Sequence, residues 1–204
     1  MRVSHLFLGA WLLLSAAAGW AVPEGFRTAA GGFAAEMAEK HGFDDAALTA
    51  LMAQARFRQS IIDAMTRPAE SKPWHKYRPI FLTRERADGG VAFWQANQAT
   101  LARAEREYGV PPQIIVAIIG VETKYGRITG SYPVLDALST LAFAYPRRSK
   151  FFRKELEQYL LLTREEGVDP LVPKGSYAGA MGKPQFMPSS YRAYAIDFDG
   201  DGKR

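Results

Sequence analysis

One apolar segment, residues 110–126, constrains the fold more than any other part of this sequence. Pro111 and Pro112 suit a first helical turn, and Gly126 suits the left-handed residue that ends a helix. Between these signals, aliphatic side chains occupy nearly every face, which predicts a helix buried on all sides. The segment therefore predicts a central helix around which the rest of the chain packs.

A single carboxylate, Glu122, lies close to the end of this predicted helix. Its helical neighbours Ile118, Ile119 and Tyr125 would desolvate it, and the carbonyl-rich helix end would disfavour a negative charge. Both effects would raise the pKa of Glu122. A carboxylic acid that stays protonated near neutral pH can act as the general acid of glycoside cleavage. For this residue alone, a solvated surface glutamate is the competing interpretation.

The N-terminal residues 1–21 are typical of a signal peptide, because Arg2 precedes an apolar run and small residues end at Ala21. We expect cleavage after Ala21. The run is short and interrupted by glycine and serine, so a stable membrane span is not expected. The remaining residues, 22–204, are long and apolar enough for one globular domain.

The charge and the absence of cysteine restrict the partners of an exported protein. Without cysteine, neither disulfides nor a lipid anchor on an N-terminal cysteine are expected. The formal net charge is +5, and removing Arg2 leaves +4. This excess suits an anionic polymer. For an exported protein, we expect that polymer to be cell-wall or surface glycan rather than nucleic acid.

The remaining hydrophobic pattern predicts a mainly α fold without convincing strands. The predicted helices span residues 33–41, 45–67, 91–108, 110–126, 134–145 and 151–162. Asp44 is expected to cap the second helix, and Glu155 is expected to face solvent on the last. Residues 68–79 contain three prolines and are expected to form a long aromatic loop. A short hairpin is the only strand structure considered, within residues 167–176.

Several common catalytic signatures are absent from the sequence. The three histidines are isolated, Ser176 lacks the glycines of a nucleophile elbow, and no phosphate-binding loop occurs. Residues 176–190 instead form a run of small residues interrupted by Met181, Gln185 and Met187. Small residues let a backbone approach a ligand or another helix closely. Tight helix packing is the simpler interpretation of this run.

The aspartate-rich residues 197–204 match the first half of an EF-hand-type calcium loop. Asp197, Asp199 and Asp201 occupy positions one, three and five, glycine occupies position six, and Lys203 at seven would offer its carbonyl. The carboxylate of position twelve falls beyond the sequence. We expect either a calcium site that further sequence completes or a solvated acidic tail.

Three blocks and the aspartate loop, in this order, resemble the lytic murein transglycosylases of the membrane-bound B type, soluble forms included. The blocks are residues 110–126 (VPPQIIVAIIGVETKYG), 178–182 (AGAMG) and 185–191 (QFMPSSY). The resemblance implies a lysozyme-like helical core that binds peptidoglycan strands, with Glu122 as the catalytic glutamate. Because the family continues well beyond this sequence, the C-terminal part of the domain is expected to be missing, and activity is expected of the intact protein.

The resemblance also implies substrate contacts for six further residues: Tyr77, Arg147, Arg148, Ser176, Met181 and Gln185. The serine and the glutamine would face the sugars, the methionine would shape the pocket floor, and the tyrosine would lie on the cleft. The arginine pair would meet acidic groups of the muramyl residue or its peptide. Lys183 and Pro184 depart from the Tyr-Gly of some members, which affects local pocket contacts only.

The expected reaction is cleavage of the β-1,4 bond between N-acetylmuramic acid and N-acetylglucosamine. Protonated Glu122 would donate to the glycosidic oxygen, then take a proton from the muramyl 6-hydroxyl, which gives a 1,6-anhydro product. No cofactor is expected for catalysis, and calcium would brace the intact protein. Expected partners are glycan strands and proteins of cell-wall synthesis or turnover.

Three alternatives remain open at this point. A muramidase-type hydrolase would use Glu122 with a water molecule and a second carboxylate, for which Asp136 and Asp169 are the nearest candidates. A non-catalytic peptidoglycan-binding module would need Glu122 only for structure. A pure calcium-binding module is a weaker alternative, because only half of a loop is present.

Overall fold

A computed structural model of the chain describes residues 22–67 and 72–204. Its helices are α1 (Phe26–His41), α2 (Asp45–Gln54), α3 (Gln59–Thr66), α4 (Trp74–Tyr77), α5 (Arg84–Ala96), α6 (Gln98–Tyr108), α7 (Pro112–Thr123), α8 (Val134–Ala144), α9 (Ser149–Glu165) and α10 (Pro188–Tyr194). Two 3-10 turns, Arg78–Ile80 and Pro146–Arg148, and two short strands, β1 (Tyr132–Pro133) and β2 (Lys174–Gly175), complete the described elements. The mainly helical class is confirmed, and the predicted signal peptide lies outside the described residues.

The hydrophobic core lies around α8 rather than around α7. Helix α8 is buried along residues 134–142 and packs against α1, α3 and α9. Fully buried side chains of these helices include Phe33, Leu138 and Phe152. Helix α7 contacts α5 and α6 among the described elements. The prediction of a central helix buried on all sides is therefore wrong, because the described elements cover only one side of α7.

Helix α2 begins as predicted, but it ends earlier. The side chain of Asp44 accepts a hydrogen bond from the backbone N–H of Ala47 at 2.7 Å, which confirms the predicted cap. The predicted helix over residues 45–67 is interrupted between α2 and α3. There the backbone N–H of Arg56 bonds to Asp136, and that of Arg58 bonds to Thr140 on α8. Bonds to side chains of α8 replace the helical hydrogen bonds at this point.

Two other segments differ from their predictions. The predicted helix over residues 91–108 is the pair α5 and α6, which meet at Asn97, and the predicted Gly109 stop is confirmed by its left-handed φ of 68°. Residues 72–79 of the predicted aromatic loop are largely helical, since α4 and a 3-10 turn follow Pro73. Residues 68–71 lie outside the described residues. Within the described residues, no helix has both the length and the apolar character that a bilayer crossing requires.

Glu155 on α9 is buried, so its predicted solvent exposure is wrong. Its two carboxylate oxygens accept hydrogen bonds from the backbone N–H and the hydroxyl of Ser189, at 2.9 and 2.7 Å. The carboxylate thereby satisfies a free N–H in the first turn of α10, a need that the pattern of α9 does not reveal.

Strand β2 pairs antiparallel with β1, with Tyr132 opposite Gly175 and Pro133 opposite Lys174. A hairpin within residues 167–176 is therefore not formed. The pairing instead joins the segment that follows α7 to the segment that precedes residues 176–187. The pairing places the segment after α7, which follows Glu122, beside the segment of small residues 176–187.

Candidate active site

Glu122 is the penultimate residue of α7, and its side chain is exposed. The buried residues of α7 are Pro112, Val116, Gly120 and Thr123. Ile118, which was expected to desolvate the carboxylate, is itself 52% exposed. The expected burial of Glu122 is therefore wrong, and the carboxylate is open to a ligand from solvent.

The turn after α7 ties Glu122 to the glycine-rich loop of residues 176–187. The hydroxyl of Thr123 accepts a hydrogen bond from the backbone N–H of Gly126 at 2.9 Å and lies 3.0 Å from the carbonyl oxygen of Lys183. The side-chain amide of Gln185 donates to the carbonyls of Thr129 and Gly182, at 3.1 and 3.0 Å. Hydrogen bonds therefore join the end of α7, which carries Glu122, to the loop that carries Gln185.

Ser176 shapes the same loop from its other end. Its hydroxyl accepts hydrogen bonds from the backbone N–H groups of Ala178 and Ala180, at 3.3 and 3.1 Å. Its own backbone N–H donates to the carbonyl of Ala180 at 2.9 Å. The loop is closed further by paired backbone bonds between Met181 and Phe186, at 2.8 and 3.0 Å. These contacts make residues 176–187 a folded, non-helical loop, and its small residues allow tight packing against a helix at Gly179, beside Leu138 of α8.

The glycines of this region serve close approach between backbones. A Cβ atom at Gly130 would lie 2.0 Å from the carbonyl of Gly175, and one at Gly175 would lie 2.3 Å from the carbonyl of Ala180. A Cβ at Gly179 would lie 2.5 Å from Leu138 in the core. The small residues therefore let this loop pack directly against the segment after α7 and against α8.

Met181 is 7% exposed and belongs to the hydrophobic core. It also borders a surface cavity of about 260 Å³ together with Gly182 and Tyr191. Met181 therefore anchors the loop from beneath.

Tyr77 reaches α7 through a chain of contacts. Its ring lies 5.0 Å from that of Phe81, and the guanidinium of Arg86 lies 5.1 Å from the Phe81 ring. Arg86 in turn donates a hydrogen bond to the carbonyl of Gly120 on α7. Tyr77 is half-buried, and these contacts connect it to the side of α7 that packs against α5.

Arg147 and Arg148 lie exposed in the 3-10 turn at the far end of α8. The guanidinium of Arg148 stacks 4.3 Å from the ring of Phe151. The eleven residues of α8 separate this pair from β1 by roughly 16 Å along the helix. The pair is thus separate from the end of α7 and the 176–187 loop, which hydrogen bonds join beside Glu122.

The two carboxylates considered for a hydrolase are occupied by structural contacts. Asp136 is 5% exposed, accepts the backbone N–H of Arg56 at 2.8 Å, and pairs with the guanidinium of Arg58 at 2.8 and 2.9 Å. Asp169 accepts the backbone N–H of Leu171 at 2.9 Å in a turn. Neither is a free second carboxylate beside Glu122.

Asp197, Asp199 and Asp201 converge, with one ligand oxygen of each within 4.8 Å of the others. Asp197 accepts backbone N–H bonds from Gly202, Gly200 and Asp201, at 2.9, 2.7 and 3.1 Å, and these bonds lower its pKa. Gly202, at the sixth loop position, is left-handed with φ of 85°. Three carboxylates on a tight turn offer hard oxygen ligands, so the described half of the loop fits calcium. Lys203 follows directly and donates its N–H to Asp201 at 2.9 Å.

Sequence reasoning missed Thr123, Tyr125 and Arg86, which hold the end of α7. A usable signal was present in the sequence. Gly120 lies within the predicted helix of residues 110–126, and glycine inside a helix often marks close approach by another group.

Comparison with known proteins places this architecture in a family. The model of the transglycosylase SLT domain matches residues 25–204. Membrane-bound lytic murein transglycosylase B of Escherichia coli (strain K12) is 49% identical over 180 residues, which cover 83% of this chain and 50% of that protein.

Two solved structures have the same fold. Soluble lytic transglycosylase SltB1 from Pseudomonas aeruginosa is 59% identical, with a TM-score of 0.83 over 86% of this chain and 59% of its own. Escherichia coli Slt35, solved in complex with calcium, is 49% identical, with a TM-score of 0.80 over 85% of this chain and 56% of its own. The chain spans between half and three fifths of the length of these relatives. The resemblance inferred from the sequence and the lysozyme-like helical fold are confirmed, and this chain belongs to the transglycosylase SLT domain family, among the lytic transglycosylases of the B type.

Proposed function

We propose that the intact protein is a lytic transglycosylase that cleaves the β-1,4 bond between N-acetylmuramic acid and N-acetylglucosamine in peptidoglycan. The observation that carries the proposal is the position of Glu122, an exposed carboxylate at the end of α7 beside a tightly folded loop. Family membership and the relative named as a murein transglycosylase support the reaction class and the substrate. The domain proposed for this activity covers residues 22–204 of the chain and any further sequence that completes it.

In the proposed reaction, protonated Glu122 donates its proton to the glycosidic oxygen. The bond between this oxygen and C1 of the muramyl residue breaks, and the electron pair leaves with O4 of N-acetylglucosamine. The muramyl acetamido group stabilises the positive charge at C1. Ionised Glu122 then takes the proton of the muramyl 6-hydroxyl while O6 bonds to C1. The 1,6-anhydro product forms, no water is added, and Glu122 regains its proton.

The contacts of Asp136 and Asp169 favour this route over hydrolysis. Most glycoside hydrolases use a second carboxylate, either as nucleophile or to activate water. Asp136 is bound to Arg58, and Asp169 holds a turn, so neither is available for that task. Glu122, by contrast, has no side-chain partner among the described residues, and one carboxylate that acts twice suits internal attack by the 6-hydroxyl.

The substrate-binding roles inferred by resemblance stay predictions for Tyr77, Arg147, Arg148, Ser176, Met181 and Gln185. The glutamine uses its N–H group within the loop, so its carbonyl oxygen is the group that would meet a sugar hydroxyl. The exposed arginine pair would contact the acidic peptide or the lactyl group at a distance from the scissile bond. Met181 would act indirectly, by supporting the loop.

Calcium is proposed as a structural ion, bound by the carboxylates of Asp197, Asp199 and Asp201 and the carbonyl of Lys203. The loop is attached to α6, because Arg103 donates to the carbonyl of Phe198 at 2.6 Å and stacks 4.0 Å from its ring. An ion there would brace this contact, and catalysis itself would need no cofactor. Calcium titration of the intact protein should raise its melting temperature, and Asp199→Asn should reduce that increase.

We propose a periplasmic location, reached through cleavage of a signal peptide after Ala21. The net positive charge of the chain supports binding to anionic cell-wall polymer rather than nucleic acid in that compartment. Proteins of cell-wall synthesis or turnover are the proposed protein partners. Mass measurement of the protein recovered from the periplasm should give a chain that begins at Val22.

Mass spectrometry of muropeptides released from purified peptidoglycan tests the function. The intact protein should release 1,6-anhydro products, one water lighter than hydrolytic ones, and Glu122→Gln should release none. Glu39→Gln is a matched control, because Glu39 is exposed on α1 and should be dispensable. Products with free reducing ends would show a hydrolase. Retention on peptidoglycan without release of fragments would show a binding module.

A further inference from the structure

The turn directly after Glu122 has an unusual backbone. Three consecutive residues, Lys124, Tyr125 and Gly126, are left-handed, with φ values of 48°, 63° and 84°. This region is unfavourable for residues with a side chain, and most of all for bulky ones. Gly126 alone would suffice to end the helix. Contacts elsewhere must therefore hold Lys124 and Tyr125 in this conformation.

Tyr125 is held in a slot formed by three glycines. Added Cβ atoms at Gly89, Gly90 and Gly120 would lie 2.9, 2.8 and 2.6 Å from atoms of the Tyr125 side chain. The hydroxyl of Tyr125 donates to the carbonyl of Arg86 at 2.7 Å, and the Arg86 guanidinium donates back to the carbonyl of Gly120. The left-handed backbone thus turns the ring between α5 and α7 and joins the two helices.

Thr123 fixes the other side of the turn. It is 1% exposed, and its hydroxyl accepts the N–H of Gly126. The single hydroxyl proton has two carbonyls in range, those of Ile119 at 3.2 Å and Lys183 at 3.0 Å. The bond to Lys183 reaches the loop that carries Gln185. Thr123 therefore holds the end of α7 against the 176–187 loop, and Tyr125 holds it against α5.

Glu122 itself is not held by its side chain. Within residues 22–67 and 72–204, its carboxylate has no hydrogen bond and no ion pair. Its position is therefore set by the backbone of the last turn of α7. We propose that Thr123 and Tyr125 are positioning residues that set the place of the Glu122 carboxylate relative to the 176–187 loop.

This inference rests on the proposed function. In that reaction, one carboxylate must reach two oxygens on the substrate in turn. A displacement of the last turn would slow proton transfer at both oxygens, while the contacts that bind the glycan would remain. Loss of either positioning residue should therefore lower kcat and leave KM nearly unchanged.

Steady-state kinetics of the intact protein on soluble glycan fragments tests the proposal with paired variants. Thr123→Val keeps the size of the side chain but removes the hydroxyl, whereas Thr123→Ser keeps the hydroxyl. Thr163→Val is the matched control, because Thr163 is also buried and bonds a carbonyl, that of Leu160, at 3.1 Å on α9. We expect Thr123→Val to lower kcat about tenfold or more with KM changed less than about twofold. Thr123→Ser and Thr163→Val should both retain the wild-type kcat.

Tyr125→Phe provides an independent test in which the ring stays in its slot. Tyr159→Phe on α9 is its control, because the Tyr159 hydroxyl donates to the carbonyl of Pro170 at 2.6 Å in the core. Tyr125→Phe should lower kcat severalfold, while Tyr159→Phe lowers only the melting temperature. Wild-type kcat in both Thr123→Val and Tyr125→Phe would overturn the proposal, as would a loss in Thr123→Val that serine does not restore. Equal product release by wild type and Glu122→Gln would instead overturn the proposed function.

Discussion

Replacing Gly120 with alanine tests how tightly Tyr125 is held between α5 and α7. Gly120 is buried in the last turns of α7. A Cβ there would lie 2.6 Å from the Tyr125 hydroxyl oxygen and 2.8 Å from its Cε1 atom. Because the hydroxyl is bonded to the carbonyl of Arg86 at 2.7 Å, the ring cannot move away without weakening that bond. Gly120→Ala should therefore strain the packing and break a hydrogen bond together.

Two effects of opposite sign set the change in the free energy of unfolding. Alanine is favoured over glycine inside a helix by about 0.5–1 kcal/mol. Overpacking costs about 1–3 kcal/mol, and loss of the hydrogen bond costs about 0.5–1.5 kcal/mol. Gly32 on α1 separates these effects, since a Cβ there would meet nothing within 4 Å. Gly32→Ala should be more stable than Gly120→Ala by about 1.5–4.5 kcal/mol, because both variants share the helical gain.

Urea unfolding followed by far-UV circular dichroism measures both variants against the wild type. The slope of the free energy with denaturant should stay the same, so that the midpoint reports stability. Gly120→Ala should unfold at lower urea than the wild type, and Gly32→Ala at slightly higher urea. Equal midpoints for the two variants would mean that the ring of Tyr125 moves freely, and the role assigned to the glycine slot would be refuted.

Three further predictions concern the core and the surface. Glu155→Ala should destabilise the protein by about 2–3 kcal/mol in urea unfolding, because the two hydrogen bonds to Ser189 are lost, and Ser189→Ala should cost less. Ser139→Ala should raise stability by about 1 kcal/mol, because the Ser139 hydroxyl is buried and has no partner among the described residues. The pKa of Glu165 is lowered by hydrogen bonds from Arg192, so this pair stabilises the fold above the unfolded pKa of 4.5 and less as pH falls below it. The melting temperatures of wild type and Glu165→Gln should therefore converge between pH 5 and 3, and a constant gap would contradict the assignment.

The sequence predicted those helices whose ends carry strong local signals. Asp44 and Gly109 begin and end helices as expected, because a cap and a left-handed glycine act within one turn. The break between α2 and α3 was not predicted, since its hydrogen-bond partners are Asp136 and Thr140, some 80 residues away. A periodic pattern contains no information about such distant acceptors.

The site residues stay predictions, and the structure tests only the environment that was expected for them. Glu122 was chosen from its place on the predicted helix and by resemblance, and Gln185 and Ser176 by resemblance alone. Hydrogen bonds join the end of α7 to the loop that carries Gln185. The expected burial of Glu122 was wrong. It was inferred from the aliphatic residues on nearly every face of α7, as if each face packed against a neighbour. In the described structure, Ile114, on the same helix, is 48% exposed. Which faces are covered depends on tertiary packing, which hydrophobicity along one segment does not specify.

The short segment around Glu122 is dominated by geometric requirements rather than by acid–base chemistry. Gly120 must lack a side chain to admit Tyr125, Thr123 must offer a hydroxyl to Gly126, and Tyr125 must fill the slot from a strained backbone. Only Glu122 among them carries a group that can transfer a proton in the proposed reaction. The residues around Glu122 are therefore those needed to hold one exposed carboxylate in place when its side chain has no partner among the described residues. A glutamate grafted onto an ordinary helix end would lack that support, and we expect it to be a poor proton donor for this reaction even where the loop of residues 176–187 is preserved.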